Sequence, residues 1–456
     1  MKEPQQTRTA LVALGLALVV FAAFSQFKLP VVLPILLDDY RYGRVLAGGF
    51  MSIFAVFGIL LSVPIGRAVA GRGALVLVMA ALPIMAFGTA LCLLAPESGA
   101  MMLAGRGLEG AAFAVLAVAG PALATANAAA RHRALVIGLV SAWVPCGQLL
   151  AALLGPIALE AGGWQSLWVV SLLLAGLLAG WTFHALHRGP RGTTRKALST
   201  ETHRARWSRA QWVALLLTGG VFMLWSGQYL AYMTWLPLYL VEEQGLAMES
   251  AIGGYLIPVV LVGLFNLTTG VLLQRGWRAQ RLLFGAVTVQ AAIWWLLPVT
   301  SGGFGGLASL AVYGITAGIA PTCLFALTAH LVASPGETAR AFGVTMTGRN
   351  LGVFGGPLLL ALAVEASGGW LAGSLLFGGL TTLAAGLCVL LLRMVPRAEA
   401  GALRTSAAGQ SANPSGGSVT APGGSHPARC PGSRPPRDPV RSSGAGDRRG
   451  SPECGW

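Results

Sequence analysis

Long apolar runs, separated by short polar or basic segments, occupy the chain from residue 10 to residue 394. A helix that spans a bilayer needs roughly 20 mostly apolar residues. Twelve runs are close to that length or exceed it. The pattern therefore predicts an all-α membrane protein with twelve transmembrane helices, at 10–37, 45–66, 73–95, 101–127, 134–159, 164–187, 210–240, 251–273, 281–299, 304–332, 341–365 and 370–394.

The composition agrees with a protein in the lipid bilayer. The chain is 55% hydrophobic and 10% charged, with a mean hydropathy of +0.69, whereas soluble domains carry about 25% charged residues. The net charge of +15 is spread over the gaps between the runs and the C-terminal region. It comes without zinc-ligand spacing or a basic zipper, so we expect no nucleic-acid partner. The six cysteines suggest no disulfide framework.

The basic residues predict the orientation of the chain in the membrane. With the N-terminus inside, the cytoplasmic segments up to residue 390 carry 17 Lys and Arg, and the outer loops carry only Arg41 and Arg44. Such an excess is typical of cytoplasmic loops. The first apolar run is too long for a cleaved signal and is interpreted as a retained helix. We expect a multi-pass protein of a bacterial cytoplasmic membrane with both termini in the cytoplasm.

Three pairs of similar segments, in the same order, suggest that the first six helices are duplicated. LPILLDD at 33–39 resembles LPLYLVEE at 236–243, and GQLLAALLGP at 147–156 resembles GRNLGVFGGP at 348–357. EAGGW and EASGGW follow the second pair. Internal repeats of this kind are typical of secondary transporters. The predicted parts are an N-terminal six-helix half (1–187), a basic cytoplasmic linker (188–209), a C-terminal half (210–395) and a disordered cytoplasmic tail rich in Gly, Pro and Ser (396–456).

This organisation, with two local motifs, resembles the major facilitator superfamily over roughly residues 9–395. GRAVAGRG at 66–73 has the glycine spacing of that family's loop between helices two and three, although Ala70 stands where an Asp is typical. The resemblance implies a conformational-switch loop formed by Gly66, Arg67, Arg72 and Gly73. Arg106-Gly-Leu-Glu109-Gly110 resembles an Arg-x-x-Gln-Gly motif of helix four, whose arginine is often linked to proton coupling.

Four charged residues lie within the predicted spans: Lys28, Arg106, Glu109 and Arg349. Such residues are rare in membranes and usually face a partner or a watery cavity. Arg106 and Glu109 are three apart and lie on one side of a helix. They form either a structural pair or a proton-coupling pair in which Arg106 also holds substrate. Lys28 and Arg349 either extend toward the headgroups or line a cavity that binds a negative group.

The predicted substrate site combines these cations with nearby polar residues of spans one, seven and eleven. The predicted substrate-binding residues are Lys28, Gln26, Arg106, Gln228, Tyr232, Arg349 and Asn350. Trp and Tyr also gather at membrane interfaces, which is the other interpretation of the aromatic residues in span seven.

The sequence shows no nucleophile–base pair, phosphate-binding loop or metal-ligand cluster, so we expect no enzyme, cofactor or metal. We predict a monomeric secondary transporter that works by alternating access and moves a small organic or inorganic anion with protons. The charges of the four candidates sum to plus two, which favours an anion. A proton-coupled drug exporter and a non-transporting sensor on a transporter scaffold are the alternatives.

Overall fold

The computed structural model describes residues 6–188, 207–300, 303–331 and 335–411, and all regular structure in these residues is helical. A chain in lipid must satisfy its backbone hydrogen bonds internally, which helices do. The helices are α1 Thr9–Tyr40, α2 Arg44–Arg72, α3 Ala74–Leu94, α4 Gly99–Ala126, α5 Ala130–Ser141, α6 Trp143–Gly162, α7 Gln165–Arg188, α8 Arg209–Glu242, α9 Met248–Gln274, α10 Ala279–Leu296, α11 Gly303–His330, α12 Pro335–Ser367 and α13 Trp370–Ser411.

The prediction of an all-α membrane protein is confirmed. Within the described ranges, eleven helices are long and apolar enough to cross a membrane. The predicted span 281–299 corresponds to α10, which has 18 residues and is not among the eleven.

The predicted fifth span, 134–159, is two helices rather than one. α5 ends at Ser141 and α6 begins at Trp143. Pro145 has no N–H to bond the carbonyl of Ser141, four residues earlier, and its ring crowds that carbonyl. The helix therefore breaks one turn before the proline.

The last helix extends beyond the boundary that the sequence suggested. α13 continues to Ser411, so residues 396–411 are helical where we predicted the start of a disordered tail. The segment is rich in Ala, a strong helix former. The rest of the predicted tail, 412–456, and most of the predicted linker, 189–206, lie outside the described residues. The domain boundaries remain predictions.

Glycines at matching places in the two repeats allow matching helix pairs to pack closely. Gly147 and Gly155 of α6 lie against α1, and Gly348 and Gly356 of α12 lie against α8. A Cβ atom at any of these positions would overlap an atom of the partner helix. The pairs α1–α6 and α8–α12 are therefore equivalent, in agreement with the similarity of the sequences around these glycines. Small residues of this kind let helix backbones approach one another in a membrane.

The two sets of helices, α1–α7 and α8–α13, meet through three helix pairs. α2 packs against α12, α6 against α9, and α1 against α8. In the two repeats α2 corresponds to α9 and α6 corresponds to α12. The pairs α2–α12 and α6–α9 are therefore equivalent. Residues on the facing sides of these six helices therefore lie between the two halves.

At the end of the bundle where α1 joins α2, charged groups tie the halves together. Arg44 donates two hydrogen bonds to the Glu242 carboxylate, at 3.0 and 2.9 Å. Trp370 Nε1 donates to Glu242 at 3.0 Å, and the Val45 N–H donates to Glu365 at 3.1 Å. We call these five residues the Arg44 latch.

A cleft of about 780 Å³ lies beside the latch and is lined by residues of both halves. Tyr42 is on its wall and donates a hydrogen bond to the Pro96 carbonyl. Burial raises the pKa of Tyr42 to about 12, so this hydroxyl remains a donor at neutral pH. The cleft also carries carboxylates of both halves, from Asp38, Asp39, Glu242 and Glu249.

Candidate functional site

Three charged side chains meet inside the N-terminal half with no exposure to solvent. Lys28 comes from α1, and Arg106 and Glu109 come from α4. Lys28 Nζ lies 2.8 Å from Glu109 Oε1, and Arg106 Nη1 lies 2.5 Å from Glu109 Oε2. Each carboxylate oxygen therefore has its own cation. We call Lys28, Arg106 and Glu109 the charge triad.

Neutral groups from two further helices complete the surroundings of the triad. Thr89 of α3 donates to Glu109 Oε1 at 2.6 Å. Lys28 donates to Ser171 of α7 at 2.9 Å and lies 4.5 Å from the centre of the Trp168 ring. Sequence reasoning missed these three residues. Thr89 is the only hydroxyl-bearing residue of the run 73–95, and that was the one signal available for it.

Arg106 is held by backbone carbonyls as well as by Glu109. It donates to the carbonyls of Ser25 at 2.9 Å, Gln26 at 3.1 Å and Phe50 at 3.3 Å. Pro30 has no N–H, so the Gln26 carbonyl lacks its usual helical partner and is free to accept this bond. Arg106 thus joins α4 to α1 and α2, and the predicted site residue Gln26 contributes its carbonyl to this connection.

The triad carries one excess positive charge, because two cations face one carboxylate. Buried ions are tolerated when they are paired and hydrogen-bonded, and every member here has several partners. In the described part of the chain, no group of three or more His, Cys, Asp or Glu is placed to hold a metal ion. Chemically, the triad can hold or release a proton at Glu109, and its net charge changes from plus one to plus two when the proton binds.

A neutral cluster of amide and aromatic side chains lies in the C-terminal half, around the predicted residue Gln228. Gln228 Oε1 accepts hydrogen bonds from Trp294 at 2.8 Å and Tyr313 at 2.9 Å, and Gln228 Nε2 donates to Gln290 at 3.2 Å. Tyr232, the other predicted residue of α8, stacks on Tyr313 with ring centres 3.6 Å apart. Three helices, α8, α10 and α11, thus share one uncharged cluster.

Arg349 and Asn350 of α12 are separate from the triad. Arg349 Nη1 donates to Asn350 Oδ1 at 3.0 Å, and the Arg349 carbonyl accepts from Ser226 of α8 at 2.9 Å. The Arg349 side chain is half-buried. The structure therefore divides the predicted charged residues into a triad within one half and a single arginine beside α8.

The predicted conformational-switch loop is a short turn at the end of α2. Arg72 is the last residue of α2, and Gly73 follows with φ of +90° while its N–H bonds the Val69 carbonyl. Positive φ favours glycine at this position. Arg67 and Arg72 are exposed, and the role of Gly66, Arg67, Arg72 and Gly73 remains a prediction.

The family follows from a comparison of the whole sequence with known families. The family model described as Major Facilitator Superfamily matches residues 15–357. The chain belongs to the major facilitator superfamily. It is therefore a multi-pass membrane transporter and not an enzyme, as its sequence pattern and motifs suggested. No curated protein sequence matches the chain.

Solved structures with the same fold include a bacterial homologue of the human lysosomal transporter Spinster. Its inward-facing, occupied structure has 16% sequence identity and a TM-score of 0.68, and its inward-facing, unoccupied structure has 16% identity and a TM-score of 0.70. Each comparison covers 87% of this chain and 99% of the other. This likeness shows that the chain shares the fold of that transporter.

Proposed function

We propose that this major facilitator protein moves a small organic or inorganic anion together with a proton across a bacterial cytoplasmic membrane. In this proposal both termini and the 188–209 linker face the cytoplasm, and the monomer is the working unit. The observation that carries it is the carboxylate of Glu109, buried between Lys28 and Arg106 in a cluster with one excess positive charge.

Glu109 is the proposed proton site. When it binds a proton, its ion pairs are lost and the triad carries two positive charges instead of one. In a site of low dielectric this extra charge attracts an anion strongly. An anion drawn toward the triad in turn favours protonation of Glu109, since the binding of two ligands to coupled sites is reciprocal. The two ligands would therefore bind and cross together.

When Glu109 is protonated, the charge of Lys28 becomes available to a substrate, whereas Arg106 stays in place. Three backbone carbonyls hold Arg106 in place even without Glu109, whereas Lys28 keeps only the neutral Ser171 and the Trp168 ring. Loss of the Glu109 charge therefore frees Lys28 for a substrate or for movement. This assigns Arg106 a positioning role in addition to its charge.

The proton-coupled drug exporter remains the second candidate, and the aromatic cluster favours it. Around Gln228, the ring of Tyr232 packs face to face with Tyr313 and edge to face with Trp294. Such aromatic rings could form one wall of a site for a lipophilic substrate. The excess of buried positive charge opposes a cationic drug. A lipophilic anion would suit both clusters.

Transport by purified protein in liposomes tests the proposal. Radiolabelled organic and inorganic anions of low membrane permeability are offered with and without an imposed proton gradient. Glu109→Gln should abolish gradient-driven accumulation but retain exchange of substrate for substrate, because the neutral amide resembles the protonated acid. Glu97→Gln, an exposed change in the turn before α4, is the matched control and should behave as the wild type.

Three results would contradict the proposal. Accumulation by Glu109→Gln that still follows the proton gradient would show that the triad is structural. Flux of lipophilic cations in preference to every anion would favour the exporter. Binding without any net flux would point to the sensor alternative.

A further inference from the structure

A second candidate binding site lies between the two halves, where buried polar atoms lack hydrogen-bond partners. Gln148 of α6 and Tyr255 of α9 are fully buried. Gln148 Nε2 and the Tyr255 hydroxyl have no hydrogen-bond partner in the described residues. An unpaired buried donor is costly and calls for an explanation such as a ligand.

Helix packing brings these two residues together. Pro145 of α6 lies beside Gly263 of α9, and Gly155 of α6 lies beside Ile252 of α9. Gln148 and Tyr255 fall between these two contacts, so they belong to the middle of the α6–α9 interface. The Tyr255 hydroxyl lies close to the Gln148 side chain.

Two residues of the C-terminal half extend this pair. The Tyr229 hydroxyl of α8 donates to Gln148 Oε1 at 2.7 Å. Ser226, one turn earlier on α8, holds the backbone of Arg349, and the Arg349 side chain lies within electrostatic range of Tyr229. In the described part of the chain no carboxylate pairs with Arg349.

The unused hydrogen-bonding groups at this place are mainly donors. The amide oxygen, Gln148 Oε1, is already used by Tyr229. What remains is the Gln148 amide N–H group and the Arg349 guanidinium, which only donate, and the Tyr255 hydroxyl, which can donate or accept. A ligand with acceptor oxygens and a negative charge would satisfy all three groups at once.

We infer that Gln148, Tyr229, Tyr255 and Arg349 form a subsite for the carboxylate of a small aromatic acid. A planar carboxylate accepts from an amide, a hydroxyl and a guanidinium at once. Trp225 stacks on Tyr229, with ring centres 5.2 Å apart and an angle of 12° between the planes, and offers an aromatic wall to the rest of the molecule. A strongly hydrated inorganic anion would gain nothing from that wall.

This inference rests on the proposed function and refines it, because it gives the anion a place of contact outside the triad. Gly147, next to Gln148, packs on Ala23 and Phe24 of α1, and Lys28 is one turn beyond Phe24 on the same helix. The subsite and the triad are thus joined through α1. The bound carboxylate touches both halves, whereas the proton stays within one.

Calorimetry on the full-length protein in detergent tests the subsite, with benzoate as the probe. Benzoate should bind the wild type, and the uncharged benzamide should bind at least about tenfold more weakly. Tyr255→Phe, Gln148→Leu and Arg349→Gln should each weaken benzoate binding about tenfold or more, as expected for loss of a hydrogen bond to a charged group. Tyr40→Phe removes a tyrosine hydroxyl at the end of α1 and should leave the affinity unchanged.

The inference is overturned if the wild type does not bind benzoate. It is also overturned if benzoate binds Gln148→Leu and Tyr255→Phe with wild-type affinity, or if inorganic phosphate competes at equal concentration. Tyr255→Phe keeps the ring, so a folding defect does not explain its effect. Benzoate binding that depends on these residues, together with proton-driven accumulation by Glu109→Gln, would uphold the subsite and reject Glu109 as the proton site.

Discussion

The charge balance of the triad predicts that Glu109→Leu lowers the free energy of unfolding much more than Lys28→Met does. Glu109→Leu leaves Lys28 and Arg106 buried together with no negative partner. Their nitrogens contact the two oxygens of one carboxylate at 2.8 and 2.5 Å. Two unit charges roughly 5 Å apart repel by about 3 kcal/mol at an effective dielectric constant of 20. Removal of one partner from a buried ion pair costs about 3–5 kcal/mol, so we expect a loss in this range.

Lys28→Met should lower the free energy of unfolding much less, although Lys28 is as buried as Glu109. It removes the excess charge and leaves the neutral pair of Arg106 and Glu109, with Thr89 still bonded to the carboxylate. The lost hydrogen bond to Ser171 costs about 1 kcal/mol, and the apolar side chain recovers part of that. We expect a change in the free energy of unfolding within about 1 kcal/mol of the wild type.

Reversible unfolding in mixed detergent micelles, followed by tryptophan fluorescence, measures both variants. Arg106→Met is the informative comparison, because it also leaves a neutral pair but releases three backbone carbonyls. The loss in the free energy of unfolding for Arg106→Met should lie between the losses for Lys28→Met and Glu109→Leu. If Lys28→Met destabilises the protein as much as Glu109→Leu, the triad does not carry an excess charge in the folded state and the argument fails.

Two further predictions concern the contacts between helices. Gly352→Ala should lower stability by about 1–3 kcal/mol, because its Cβ would overlap a carbonyl of α8, whereas Gly343→Ala on the same helix meets nothing within 4 Å and should have little effect on the unfolding midpoint. Arg44→Gln should open the latch, since the pair with Glu242 is about one-third exposed and contributes roughly 0.5–1 kcal/mol. A cysteine at Ile35, which lines the cleft, should then react several-fold faster with a water-soluble thiol reagent, and an unchanged rate would show that the latch does not hold this end closed.

The sequence determined the features that depend on local composition. Apolar runs of about 20 residues must be helices in a bilayer, because the only other spanning structure that satisfies the backbone is a closed β-barrel, whose strands need only about 10 residues. The repeated segments around Gly147 and Gly348 gave the equivalence of the two halves, and the close packing of those glycines agrees with it. The spacing of Arg106 and Glu109 placed them on one face of α4, since residues three apart in a helix are neighbours.

The sequence could not determine which side of each helix faces a partner. Leu60, Phe87 and Leu94 are largely exposed on the outer surface of the bundle, where lipid is as apolar as the interior. The apolar residues therefore lie on all sides of these helices, and their spacing does not identify the buried face. For this reason Lys28 allowed two interpretations, at the headgroups or inside.

Only the tertiary structure decided which polar residues meet. Lys28 and Glu109 are 81 residues apart, and so are Gln148 and Tyr229. Both contacts depend on how each helix is rotated about its own axis relative to its neighbours. Burial in an interior without water then requires each charge to find a partner there. The chain therefore specifies its charged groups locally but pairs them only through the packing of distant helices.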